Sequence, residues 1–380
     1  MKILMINTLY HPYKVGGAEV SVQLLAEELV RQGHIVRVAC LHNKNKKFLD
    51  TINGVEVVYL PLVNKYWPFG KYQPTKFEKI LWHILDNYNP SMAQLIENEL
   101  MQFKPDIVHT NNITGFSVAI WSKIKKANIP LVHTSRDYYL FNPNTTLFRN
   151  GKNQDINSIE IKLWSFVKKR LSKKVDYYVG ISDFIREFHI NNGFFSNKVK
   201  SCTIYNPVEK IKKIKNRTKI LNIGFIGRLM TEKGFDVFCD FAEKNGEKYT
   251  YYVAGIPANN EESKFLYERA KKLNIVLLGH VNFSDFIEKV DAVILPIKWN
   301  EPFGRVVVEC ALAGIKVYVS KKGGVIELIP KFNNISVLGK DLNITDEYNA
   351  NDNVLEENEF DATYHVERYL NIYGEILNAN

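Results

Sequence analysis

Cysteine is scarce: Cys40, Cys202, Cys239 and Cys310 are the 4 in 380 residues, all far apart and none in a C-x-x-C pair. That pattern supports neither a disulfide framework nor a cysteine-built zinc site, and it suits a reducing compartment. Long hydrophobic runs are missing too, and nothing approaches the roughly 18 apolar residues a membrane span needs. The opening stretch, residues 1–7, reads as a buried strand and not a secretory leader, because Asn7 and then His11-Pro12 break it early. These absences point to a cytoplasmic protein. A G-x-G-x-x-G run is likewise absent after the first strand, which disfavours a nicotinamide dinucleotide as ligand.

What is present is ordinary globular material, 46% hydrophobic and 24% charged, in a chain whose length suits two domains. The net charge of +9 is unevenly spread. Lys162, Lys168, Lys169, Arg170, Lys173 and Lys174 interleave with Trp164, Phe166 and Leu171. This is a basic amphipathic helix, suited either to an anionic membrane surface or to a solvated face with its aromatics in the core. No nucleic-acid motif accompanies it, so nucleic acid is not expected as a partner. Residues 341–361 are acidic and polar.

Short apolar runs alternate with helical spacing throughout. Strands are expected at 2–9, 35–41, 55–60, 106–109, 131–134, 176–181 and 200–204, with helices such as 18–31, 76–101 and 115–127 between them. After the basic linker-like stretch 210–219 the alternation restarts, with strands at 220–225, 249–254, 275–278, 291–296 and 316–320. Such βα order gives an α/β fold of two doubly wound parallel sheets, Rossmann-like, facing each other across a cleft with a hinge near 206–218.

Three motifs fall where these strands end. Gly16-Gly17-Ala18-Glu19 opens a helix, so its backbone N–H groups can approach a phosphate or a sugar oxygen, unless the glycines merely serve a tight turn. Gly227-Arg228-Leu229-Met230-Thr231-Glu232-Lys233-Gly234 brings a guanidinium and an ammonium onto one loop, a pair able to clamp a diphosphate. Asn300-Glu301-Pro302-Phe303-Gly304-Arg305 leads into a helix that carries Glu309, about 7 Å along at 1.5 Å per residue. Two carboxylates beside a helix N-terminus suit a ligand with hydroxyls in two places and phosphates between them. The same spacing also suits an ordinary helix start with acidic first turns.

Taken in order, the Gly-Gly loop, G-R-x4-K-G and E-P-F-G-x4-E resemble the family-4 retaining glycosyltransferases of the GT-B fold, over nearly the whole chain. The resemblance implies an acceptor-binding domain over 1–206, a nucleotide-sugar-binding domain over 207–360, and a C-terminal helix, 361–380, that crosses back to the first. It implies that Arg228 and Lys233 hold the donor diphosphate, with Gly227 in the same loop and Gly16 and Gly17 contributed by the first domain. Glu301 and the N–H groups near Phe303, Gly304 and Arg305 would meet the transferred sugar, Glu309 the ribose, and Gly279 to Val281 the base. No Asp-x-Asp triplet occurs, so no essential metal and no cofactor beyond the donor are expected.

One departure matters. Where many members carry His-x-His, this chain has His109-Thr110-Asn111, and Ser135-Arg136-Asp137-Tyr138-Tyr139 stands where His-Asp-Tyr is common. Asn111 cannot act as a base but can bond a sugar hydroxyl. Asp137 is the carboxylate at hand if a base is required, and Arg136 and Tyr138 are acceptor-side candidates. His109 reads as a buried strand residue. The aromatic stretches 66–72 and 138–141 suit stacking on sugar rings and equally suit a core. The expected acceptor is a saccharide or a lipid-linked saccharide, in assembly of a surface polysaccharide such as O-antigen or capsule, at the inner face of a membrane. A nucleotide-sugar epimerase of the same fold and a non-catalytic nucleotide-sugar-binding relative remain as alternatives.

Overall fold

The computed structural model describes residues 1–13, 16–195, 199–209, 220–345 and 357–379. The linker stretch 210–219, most of the expected hinge, Lys14-Val15 and part of the acidic region therefore lie outside the described residues. The chain forms two compact units. One comprises residues 1–146, 155–207 and 359–380, the other 147–154 and 208–358.

In the first unit the elements run β1 (Lys2–Ile6), α1 (Gly17–Arg31), β2 (Ile35–His42), β3 (Phe48–Ile52), β4 (Val55–Pro61), α2 (Lys76–Asn87), α3 (Pro90–Phe103), β5 (Ile107–Thr110), α4 (Ala119–Lys126) and β6 (Leu131–Ser135). After a small hairpin, β7 (Phe148–Arg149) and β8 (Lys152–Asn153), which belongs to the second unit, come α5 (Ile159–Ser172), β9 (Tyr177–Gly180), α6 (Asp183–Asn191) and β10 (Lys200–Thr203). The sheet order is β10-β9-β6-β5-β1-β2-β4-β3, parallel except for the β3–β4 edge. Ile3 to Ile6 are fully buried, as expected of a central parallel strand covered on both faces.

The second unit carries β11 (Asn222–Ile226), α7 (Phe235–Asn245), β12 (Thr250–Ala254), α8 (Glu261–Lys272), β13 (Val276–Gly279), α9 (Phe283–Ile287), β14 (Ala292–Leu295), α10 (Arg305–Leu312), β15 (Lys316–Val319), α11 (Val325–Leu328) and β16 (Ile335–Val337). Its order is β13-β12-β11-β14-β15-β16, all parallel. In each unit the winding reverses beside the first strand, between β1 and β5 and between β11 and β14. Ligands of open α/β sheets bind outside the carboxyl ends of strands at such a reversal.

The last helix, α12 (Ala362–Asn378), packs into the first unit. Tyr373 Oη lies 2.7 Å from His109 Nδ1, and Tyr369 Oη lies 2.9 Å from Thr134 Oγ1. Burial and the nearby Arg136 charge hold His109 neutral, well below the usual imidazole range.

Three expectations are corrected. The expected helix 76–101 is two helices, because Asn89 caps α3 with Pro90 at its first position. The expected helix 115–127 begins only at Ala119, since Gly115 and Ser117 both adopt positive φ. Finally, α5 does not bury its aromatics: Phe166 is exposed, and it is Lys168 that lies inside.

Candidate functional site

The second unit presents its candidate residues on the two loops that flank the β11–β14 reversal. Gly227, at φ +146°, ends β11, and its N–H bonds Ala254 O at 3.0 Å. Arg228 projects half-exposed and pairs with Glu232 one turn on. Lys233 turns inward: its Nζ lies 2.6 Å from Glu301 Oε2 and 4.9 Å from the centre of the Trp299 ring. Trp299 Nε1 donates to the same carboxylate oxygen at 2.8 Å. Lys233 and Glu301 are brought together, whereas Arg228 sits on the same loop with a different partner.

Backbone contacts fix this arrangement. Lys298 N and Trp299 N both donate to Glu232 O, tying one loop to the other. Asn153 of the β8 strand brackets the segment, donating to Lys298 O at 3.2 Å and accepting from Asn300 N at 3.0 Å. Gly234 lies at φ +78°, and a Cβ there would come 1.9 Å from Pro296 O. Gly323 packs as closely on Glu301, where a Cβ would come 2.2 Å from its carbonyl oxygen.

Gly304, left-handed at φ +95°, is the N-cap of α10, so Phe303, Gly304 and Arg305 stand where the helix N-terminus favours negative charge. Phe303 itself is buried. Glu309 lies one turn in and accepts from Arg305 Nε at 2.7 Å. Its carboxyl is raised, chiefly by burial, against the pull of Arg305. Gly279, at φ +70° with open space where a Cβ would stand, and the half-exposed Val281 lie at the carboxyl end of β13.

The first unit has its own site at the ends of β5 and β6. Arg136 is buried, and its Nε donates to Asn111 Oδ1 at 3.0 Å while Nη1 donates to Asn206 Oδ1 beyond β10. One guanidinium thus joins the carboxyl ends of three strands. Asn111, Asn112, His133, Ser135, Arg136 and Asp137 bound a cavity of about 10 Å³, room for a single water. Asp137 accepts from Tyr139 N at 2.8 Å, and burial pushes its carboxyl up to about 6. Burial also drives His133 down to about 3, so it is neutral. Gly16 is extended and precedes α1, and its N–H already donates to the Glu19 carboxylate at 2.9 Å, with Gly17 the first helical residue.

Tyr138 does not present a ring to any opening. It is buried, edge-on to Phe141 and Phe188, so its assignment to an acceptor is corrected: a ring held on its faces by core cannot stack on a sugar. Tyr139, Leu140 and Phe141 are core as well, while Phe69 and Tyr72 of the other aromatic stretch are exposed. Asn153, Trp299, Asn206 and Glu19 are the residues that sequence reasoning missed. Two of them carried a signal: Glu19 lies three residues after the Gly16 cap as in a capping box, and Asn206 falls in Ile204-Tyr205-Asn206-Pro207, a stretch the family resemblance includes.

With this geometry in view, comparison with known proteins is specific. Residues 15–210 match the profile Glycosyltransferase Family 4, and residues 208–363 match Glycosyl transferases group 1. An uncharacterised protein in the cps region of Klebsiella pneumoniae is 46% identical over 377 residues, covering 98% of this chain and 100% of that one. An uncharacterised glycosyltransferase of Methanocaldococcus jannaschii is 27% identical, covering 87% and 83%. Among solved structures, Alr3699/HepE of Anabaena, in complex with UDP and glucose, superimposes with a TM-score of 0.63 at 17% identity, over 99% of this chain and 92% of that one.

Proposed function

The chain belongs to glycosyltransferase family 4, and from that membership we propose that it moves a sugar from a nucleotide-sugar donor to an acceptor hydroxyl with retention of the anomeric configuration. The observation that carries this reading is the Lys233–Glu301–Trp299 cluster beside the α10 N-terminus, with Arg228 on the same loop. The ion pair is the resting arrangement: an arriving diphosphate takes Lys233, and Glu301 is released to accept hydrogen bonds from the sugar's hydroxyls.

In the proposed step the bond between C1 of the sugar and the diphosphate oxygen breaks, and its electron pair leaves with the phosphate. The acceptor oxygen bonds C1 from that same face, and its proton passes to the departing phosphate oxygen. Arg228 and Lys233 stabilise the charge that develops there, with the N–H groups near Phe303, Gly304 and Arg305 beside it. Glu309 holds the ribose, the backbone near Gly279 and Val281 holds the base, and Gly16 and Gly17 contribute to the diphosphate. No protein base is required, which suits Asn111 where many members have histidine; Asp137 is the carboxylate available otherwise. The two cationic side chains serve in place of a metal.

The donor class is supported by the ligands of the Anabaena structure, UDP and glucose. The acceptor is proposed to be a lipid-linked saccharide in surface-polysaccharide assembly, at the inner face of a membrane, a context supported by the relative in the Klebsiella cps region. Arg136, expected to touch the acceptor, is instead buried on Asn111 and Asn206, so its part is to orient Asn111 toward that acceptor.

A thermal-shift screen against UDP-, GDP-, dTDP- and ADP-sugars tests the donor directly, because a ligand at 100 times its Kd adds about 2.7 kcal/mol to the folded state. Stabilisation by one nucleotide series, followed by release of that nucleoside diphosphate only when acceptor is added, is expected. Conversion of donor without acceptor would indicate an epimerase, and binding with no turnover a non-catalytic relative.

A further inference from the structure

Two neighbouring helices of the first unit each bury a charged residue while leaving an apolar stripe exposed. α5 buries Lys168 at 1% exposure, yet leaves Ile159 at 77%, Leu163 at 70% and Phe166 at 66%. Those three stand at i, i+4 and i+7, one stripe of the helix. α2 repeats the pattern: Asp86 is buried at 2%, while Phe77 (69%), Ile80 (50%) and Ile84 (53%) are exposed at i, i+3 and i+7.

The helices adjoin, with the rings of His83 and Trp164 edge-on at 6.2 Å. Beneath them Lys168 donates to Tyr139 O at 2.7 Å, and the nearby Asp86 and Asp137 carboxylates favour its charge against burial. Single exposed hydrophobics are commonplace, but a stripe on each of two touching helices is a patch, and such patches mark interaction surfaces.

The charge around the patch says what it meets. Lys76 and Lys79 on α2, and Lys162, Lys169 and Arg170 on α5, are all exposed. The acids on these two faces are Glu78 and Glu160, and Glu78 is already engaged by Tyr72 and Thr75. Long cationic side chains beside an apolar stripe can lay their stems on hydrocarbon and carry their charge to phosphate level. No helix among the described residues is long and apolar enough to cross a membrane.

We infer that α2 and α5 together form a docking face for an anionic lipid bilayer, the two apolar stripes entering the boundary between headgroups and acyl chains. This agrees with a lipid-linked acceptor but does not rest on one, since it concerns a face and a bilayer and no sugar.

Cosedimentation of the full chain with phosphatidylcholine vesicles, and with vesicles of equal parts phosphatidylcholine and phosphatidylglycerol, tests it. The chain is expected to pellet with the anionic vesicles alone, less so as salt rises. Replacing Leu163→Gln and Phe166→Gln is expected to weaken partitioning by roughly tenfold per side chain. Lys76→Gln and Lys162→Gln are expected to weaken it by roughly fivefold each. Because all four side chains are exposed, melting temperature and donor-induced thermal shift should stay at parental values, which separates this test from that of the donor site. Folded parent protein that stays in the supernatant overturns the inference, as does pelleting undiminished by the glutamine variants. A dimer seen by light scattering and abolished by the Leu163→Gln, Phe166→Gln variant, without vesicle binding, assigns the face to a second copy and also overturns it.

Discussion

Asp137→Asn should make the first unit more stable, and by an amount that depends on pH. The Asp137 carboxyl is displaced from 3.8 to about 6, mainly by burial and slightly by Glu19, with Tyr139 N–H and Lys168 opposing. A carboxyl whose folded value lies above its unfolded value disfavours the fold once ionised. That cost is absent below the unfolded value, grows between the two and is complete above the folded one. At 1.36 kcal/mol per unit, an interval of roughly 2 units amounts to about 3 kcal/mol at neutral pH. Asparagine removes the ionisation and keeps an oxygen for the Tyr139 N–H. The variant is therefore expected to gain about 2–3 kcal/mol near neutrality, about half of that near pH 5 and nothing below about pH 4. For a unit of this size that corresponds to melting roughly 5–10 °C higher at neutral pH. Calorimetry of both proteins across a pH series reads the difference directly. Identical melting at every pH, or a less stable variant at neutrality, would refute the reasoning, because the carboxylate would then be solvated or well paired when charged. Turnover should fall less than about tenfold if the leaving phosphate takes the proton.

Lys233→Ala and Glu301→Ala are each expected to lower kcat/KM by about 100-fold or more with the melting temperature largely retained, as for removal of a preorganised charge at the reacting centre; steady-state kinetics on the identified donor check this, and parental turnover would remove that residue from the mechanism. Asn111→Ala should be milder, within about tenfold, since only a hydrogen bond is lost; loss of all turnover with donor affinity intact would assign Asn111 a direct part. Gly234→Ala should cost about 3 kcal/mol or more, combining a left-handed backbone with a contact on Pro296 O, and a parental denaturation curve would contradict the packing described. Activity is expected to persist in EDTA, and complete loss restored by magnesium would replace the role given to Arg228 and Lys233.

Much of the architecture was legible because each central strand is a continuous apolar run bounded by turn residues, and parallel strands buried on both faces read that way. The β3 strand was missed because Asp50-Thr51 interrupt the apolar residues of 48–52, and this edge strand buries none of them fully. Its sign was nonetheless there: Asn53-Gly54, both at positive φ, is the two-residue hairpin turn that joins it to β4. The break at Asn89-Pro90 was equally readable and was overridden by apolar spacing that continues across it.

Site chemistry was legible in part. The motif loops announce themselves through glycine and charge, but which charge pairs with which is decided in three dimensions. Nothing local in sequence says that Lys233 meets Glu301, 68 residues on, or that Asn206 takes Arg136. Tyr138 and Lys168 show the reverse error. An aromatic suited to a ligand proved to be core because Tyr138 packs on Phe141 and Phe188, and a lysine suited to solvent is buried because Lys168 lies over the Tyr139 ring.

The place of α12 has a consequence for how the protein is made. The sheet of the first unit is nearly all synthesised by residue 203, yet the helix whose Tyr369 and Tyr373 cover His109 and Thr134 is translated some 160 residues later. On the ribosome the earliest sheet must therefore wait with one apolar flank open while the second unit, mostly a continuous stretch of chain, emerges complete. The first unit is closed only by residues 362–378, so a nascent chain arrested before them would hold a finished second unit and an unfinished first, a natural client for a holding chaperone.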